Sequence, residues 1–188
     1  MPLVQLIEAS EAPLLLRDLF AGGDPGPIAA ALAQVPELCT ATLPFIGAAL
    51  SPSLVPVRLK EIAILRTSAV LGCRYCVDAH TVVALDTGLS GAEVAALRGE
   101  GDVQQCFSDQ SETALIHWID AVAGGRGAIE ASIGDALQSY FADHIIVELT
   151  VTIGATMFLN RFATALGLPS STDTLRRLHQ EGFAHDRG

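Results

Sequence analysis

Positive charge is scarce in this chain: 11 Lys and Arg stand against 21 Asp and Glu, a formal charge of −10 over 188 residues. No basic run is available to neutralise phosphates, which excludes nucleic acid as a partner. Long hydrophobic runs are missing too. The longest, Ile145 to Leu159, is broken by Glu148 and is short for a bilayer, so it predicts a buried core helix and no membrane. The opening MPLVQLIEASE carries Glu8 and Glu11 and lacks the basic start and apolar centre of a signal peptide. Four cysteines are too few for a disulfide framework at this length. These absences predict a soluble, cytoplasmic protein. No segment alternates polar and apolar residues with period 2, which predicts an all-α fold.

What the chain has in quantity is apolar residue: 50% of the total, with a mean hydropathy of +0.42. At 188 residues one domain is expected. Apolar residue beyond the needs of one core predicts that some surface closes on another copy, as a homo-oligomer.

Residues 1–35 read as an N-terminal arm, laid on the body or on a neighbouring subunit, with the loop AGGDPGP blocking regular structure. The helical body spans 36–169. It begins with a helix over 36–50 that has a possible break at Pro44. A strongly apolar helix from Val57 to Leu71 should be buried on most sides. Gly72 stops or bends it, and a new helix runs from Cys73 to Asp86. Ser90-Gly-Ala-Glu93 has capping-box spacing. Further helices are expected from Glu112 to Ala123, Ile133 to Tyr140 and Asp143 to Leu166, the last with Asp143 as N-cap. The tail, 170–188, with Arg176, Arg177, His179 and His185, reads as polar and mobile. One gapless echo lays Glu148–Ala163 over Glu61–Cys76, placing Glu148 on Glu61. Shared helical pattern explains it as well as a duplicated unit does.

The stretch EIAILRTSAVLGCRYCVDAH, Glu61 to His80, carries the chemistry. At about 100° per residue, Cys73, Cys76 and His80 fall at roughly 0°, 300° and 340° on one helix, a single narrow stripe. A free thiol is only a few per cent thiolate at neutral pH, and a helix N-terminus favours the anion. His80 can take a proton from Cys76, and Glu61, folded back at Gly72, can hold the imidazole in one tautomer. The two thiols can close a disulfide after one of them has been oxidised to a sulfenic acid.

Glu61, Cys73, Cys76 and His80 match the pattern E-x11-C-x2-C-x3-H, and the chain resembles the AhpD-like alkylhydroperoxidases of the carboxymuconolactone decarboxylase superfamily. NRFATALGLP is similar to the C-terminal segment of peroxidase-related members. The resemblance covers about residues 36 to 169. It implies a compact helical bundle of the AhpD-like type, with its catalytic Cys-x-x-Cys at a helix N-terminus, assembled as a trimer or hexamer. It implies Cys76 as the thiol that attacks a small hydroperoxide, Cys73 as the resolving thiol and Glu61 with His80 as a proton relay. A lipoyl-type dithiol is the implied reductant, and no cofactor or metal is implied. Tyr75 stands where the best-known members have histidine; a phenol relays or donates a proton but is a poor base at neutral pH.

Other readings stay open. Cys73, Cys76, His80 and Glu61 could ligate zinc, although no second ligand pair of familiar spacing exists. Glu61 and His80 could do acid–base work on a lactone or decarboxylation substrate, with the thiols dispensable. The pair could also be the switch of a non-catalytic redox sensor. Cys39 and Cys106 read as structural, Trp118 as core or interface, and His117/Asp120 and His144/Glu148 as helix-surface pairs. Arg126 and Arg161 have no assignable role beyond charge pairing.

Overall fold

The computed structural model describes residues 1–183; His185 lies outside them. Among the described residues two 3-10 turns, Ala9–Glu11 and Leu14–Leu16, precede eleven α-helices. These are α1 (Arg17–Phe20), α2 (Pro27–Leu32), α3 (Pro36–Leu50), α4 (Val57–Val70), α5 (Arg74–Asp86), α6 (Gly91–Leu97), α7 (Val103–Cys106), α8 (Gln110–Gly124), α9 (Ala131–Gln138), α10 (Asp143–Leu166) and α11 (Thr172–Gln180). No strand occurs among the described residues. The expected all-α class is what forms.

Helix α4 is the centre, packed against α5, α8 and α10. Ile62, Ala63, Ile64 and Leu65 are all buried, so every face of its middle turn meets protein, as the all-round apolar pattern predicts. Cations on α4 clamp it to its neighbours. Arg58 binds Glu112 at 2.6 Å and also reaches Glu93, while Arg66 grips Asp120 at 2.6 and 2.9 Å. Paired, charge-assisted bonds of this kind fix orientation as well as distance. Lys60, the only lysine in the chain, is completely buried. Its ammonium binds the carbonyls of Ala49 and Ser51 at 3.1 and 2.6 Å and Glu148 at 2.6 Å, tying α4 to the end of α3 and to α10.

Helix ends follow local chemistry. Ser90 and Glu93 form both halves of the expected capping box on α6. Gly167, left-handed at φ 61°, ends α10 as expected. Several expectations change. Pro44 sits inside an unbroken α3. Asp143 is the first helical residue of α10, and extended Ala142 holds the cap position without a side-chain bond. Helix α8 begins at Gln110, because Asp109 caps it by accepting from Ser111 N–H. Helix α9 lies two residues earlier than expected. The tail is not shapeless: α11, capped by Ser171, buries Leu178 and packs on α5.

The arm lies on the body of its own chain. Leu3 N–H bonds the Leu166 carbonyl at 2.8 Å, and within the arm Ile7 N–H bonds that of Ala30 at 3.2 Å. Helix α2 buries Ala29, Ala30 and Ala31. Helix α10 is long and apolar enough to cross a membrane by length and composition alone, yet it packs against α3, α4, α5 and α8 as a core helix. It runs unbroken past Leu159, where the internal echo places Gly72, so the two segments differ in backbone at the turn that matters.

Candidate active site

The site grows from the α4–α5 junction. Gly72 adopts φ +65°, a left-handed conformation that costs L side chains energy. Around it, Gly72 N–H bonds the Ala69 carbonyl at 3.1 Å and Cys73 N–H bonds that of Ser68 at 3.0 Å. This pair is a Schellman closure. Cys73, the residue completing that closure, is at the same time the N-cap of α5, its sulfur accepting from Cys76 N–H at 3.4 Å. One helix ends and the next begins on a single cysteine. Cys73 is thus the cap just before the first helical residue rather than the first turn itself.

The two sulfurs lie 2.8 Å apart, both buried, in an apolar cluster with Ala31, Ala163 and Leu168. They share a proton unequally. The Cys76 S–H points at Cys73 and is the largest influence lowering the Cys73 thiol from 9.0 to about 6; the Cys76 backbone N–H and Thr164 hydroxyl lower it further, against burial and nearby Asp78. The same bond, reinforced by burial, pushes the Cys76 thiol up. This contact favours the charge on Cys73 and the proton on Cys76.

Glu61, buried on α4, lies 2.9 Å from His80 Nδ1 on α5. A carboxylate accepts, so Nδ1 carries the hydrogen and Nε2 is the nitrogen left for proton exchange. The carboxylate and imidazole meet as the motif spacing predicted. Tyr75 is half-buried, and its phenol is pushed up to about 12, first by burial and then by the neighbouring Cys76, Cys73 and Asp24 charges. It remains protonated at neutral pH and can give a proton but is no base.

Cys76, Tyr75 and His80 open on a cavity of about 240 Å³. Pro25, Ile28 and Ala29 of the arm form one wall; α3 adds Leu43, Ile46 and Leu50, and α10 adds Thr156, Leu159 and Asn160. Cys73 does not line this cavity. It faces a smaller cleft of about 200 Å³ with Gly72, Arg74, Thr164 and Gly167, and Tyr75 stands between the two spaces as a shared wall.

Sequence reasoning missed the arm residues, Thr164, Ser68 and Asn160. Asn160 carried a signal, a polar residue in an apolar helix that proved buried. No group of three or more His, Cys, Asp or Glu side chains suited to a metal occurs among the described residues. Asp120 is taken by Arg66, and Glu148 by Lys60 and Ser53, rather than by His117 and His144. Cys39 is buried among apolar side chains, and its thiol is pushed up by desolvation.

The profile of the carboxymuconolactone decarboxylase family matches residues 36–115, which include α4, α5 and the whole Glu61–His80 stretch. The fold matches that of an uncharacterized peroxidase-related protein from Silicibacter sp. TM1040, with TM-score 0.80 and 17% identity over 92% of this chain and 93% of that one. A candidate AhpD-type antioxidant-defence protein of unknown function from Agrobacterium tumefaciens is 29% identical over 76% of this chain and 96% of its own, with TM-score 0.66. The debrominase Bmp8, as a cysteine-to-alanine variant in complex with 2,3,4-tribromopyrrole, gives TM-score 0.78 at 19% identity over 96% of this chain and 98% of that one. No curated protein matches the sequence. Residues 36–115 carry the carboxymuconolactone decarboxylase family pattern, and the helical fold is the one seen in AhpD-like, peroxidase-related structures.

Proposed function

We propose that the protein is a cysteine-based peroxidase that reduces small organic hydroperoxides through a Cys73–Cys76 thiol/disulfide cycle. The observation that carries this reading is the placement of Cys76 and His80 on one largely apolar cavity, with Cys73 Sγ 2.8 Å behind Cys76 Sγ. The Cys76 proton passes across that short contact to Cys73, and the Cys76 thiolate attacks the terminal oxygen of R–O–O–H. The O–O bond breaks, leaving Cys76 as a sulfenic acid, and the alkoxide leaves as R–OH with a proton taken from solvent and relayed through Nε2 of His80, held by Glu61. Tyr75 is a donor on the same wall. Cys73 then attacks Cys76 sulfur, and the displaced hydroxide leaves as water with the Cys73 proton. An external dithiol, of lipoyl type in keeping with the family, returns the pair to the reduced form.

Assembly belongs to the same proposal. Val147, Val151 and Phe158 stand exposed along α10, with Leu38 and Phe45 exposed on α3. An apolar stripe of this kind supports a trimer or hexamer that covers it.

The test is one equivalent of cumene hydroperoxide on the anaerobically reduced protein. Mass spectrometry should show the loss of two hydrogens mapped to Cys73–Cys76, abolished by Cys76→Ser and slowed by Glu61→Gln. Intact thiols after exposure would defeat the proposal. A second reading, acid–base catalysis on a lactone or decarboxylation substrate, draws on the family match and on a Glu61–His80 pair complete without either sulfur. It requires activity that survives Cys73→Ser and Cys76→Ser. A brominated pyrrole belongs in the substrate panel, given the debrominase with this fold.

A further inference from the structure

Three polar side chains that the thiol cycle does not use line the cavity in front of Cys76: Ser68 and Thr156, whose hydroxyls donate to the Ile64 and Thr152 carbonyls, and Asn160. Asn160 on α10 lines it and is 1% exposed. Its amide nitrogen donates to the Thr156 carbonyl at 2.8 Å and to Ser68 Oγ at 3.2 Å. A backbone carbonyl only accepts, so the nitrogen must lie on that side and the orientation of the amide is fixed. Ser68 has already committed its own hydrogen to the Ile64 carbonyl at 2.8 Å. The chain of bonds from Ile64 to Thr156 is therefore full, and it leaves one group over. Asn160 Oδ1 has no hydrogen-bond partner among the described residues.

A buried amide oxygen without a partner has given up its solvation with nothing in return. Here it is held rigidly by two bonds from its own nitrogen, against walls of Ile28, Ile46, Ile64 and Leu159. We propose that Asn160 Oδ1 is the recognition point of the cavity, accepting one hydrogen bond from an uncharged, otherwise apolar small molecule that carries a single O–H or N–H donor. An acceptor in apolar surroundings selects against carboxylates and other anions, whose lone pairs it would face. It also selects against hydrocarbons, which leave it unpaired. Identifying the ligand as a hydroperoxide, whose terminal O–H would be steered toward Cys76, rests on the function proposed above; the acceptor does not.

The experiment compares 2-phenyl-2-propanol with isopropylbenzene, the same body without the hydroxyl, on the reduced full-length protein. Calorimetry on Asn160→Leu and Asn160→Ala should show the alcohol weakened about tenfold relative to the wild type, while the hydrocarbon holds or gains affinity. Equal loss for both ligands, or loss for neither, overturns the proposal. If the variants do not fold, the wild type decides the matter through the Asn160 side-chain amide signals in a nitrogen–proton NMR spectrum. They should shift with the alcohol and not with the hydrocarbon, and the reverse or no difference counts against it. Selective alcohol binding by a protein whose thiols ignore cumene hydroperoxide would sink the peroxidase reading and leave this one standing.

Discussion

Removing the Cys76 sulfur should take the charge off Cys73. The Cys73 thiol is held at about 6 instead of 9.0 chiefly by the S–H of Cys76, 2.8 Å away. At pH 7.5 a midpoint of about 6 gives roughly 30 thiolates per thiol, and the ordinary value reverses that ratio. In Cys76→Ala the backbone N–H at residue 76 and the Thr164 hydroxyl still favour the anion, while burial and Asp78 still oppose it. With the principal donor gone, the midpoint should climb past roughly 8, leaving about a quarter or less of Cys73 ionised at pH 7.5. Thiolate absorbance near 240 nm, followed from pH 4 to 10, reads this directly once the Cys73→Ala/Cys76→Ala double variant is subtracted. A wild type without an ionisation near 6 would refute the shared-proton arrangement. A Cys76→Ala midpoint unchanged from the wild type would assign the stabilisation to the helix end alone.

Two further outcomes concern stability. The Glu148 carboxyl is held below its usual 4.5, first by the Lys60 ammonium and then by the Ser53 hydroxyl. The unfolded chain therefore takes up this proton at higher pH than the folded one, so the stabilisation is complete above about 4.5 and drains away as pH falls through the folded value. Urea titrations should show Glu148→Gln losing about 2 kcal/mol at pH 7, discounted for the part-exposed carboxylate, with a flatter acid limb; an unchanged midpoint contradicts the role given to Lys60. Gly72→Ala meets no atom within 4 Å of the new Cβ, so its penalty is purely that of the left-handed backbone, about 1–2 kcal/mol by denaturant unfolding. A neutral result there would mean the α4–α5 turn relaxes away from φ +65°.

The parts of the site that were legible in the sequence are those set by spacing along one helix or across one turn. Glycine between two apolar runs announced the α4–α5 reversal, and the reversal brought Glu61 to His80 as expected. The Ser90–Glu93 box was legible because both partners lie within one turn. The rest depends on segments far apart in the chain. Pro25, Ile28 and Ala29 reach the cavity because the arm folds back on the body, bonding Leu166 of α10. Asn160 meets Ser68 across 92 positions, which no periodicity encodes. The tail helix was masked by its polarity, since only Leu178 needs a buried seat and its capping serine lies in the run Ser170–Ser171. The division of charge between the thiols was hidden because it comes from a sulfur–sulfur approach and from Thr164, not from the helix end by itself.

The contribution of the arm to the cavity wall has an evolutionary consequence. Thiols, imidazole and carboxylate all sit on α4, α5 and the turn between them, whereas residues 25–29 enter from a segment outside that helix pair. Exchanging the arm would reshape the chamber without replacing either thiol, the imidazole or the carboxylate. In this architecture, what is admitted and what is done to it are written in separate stretches of the gene, free to diverge at different rates.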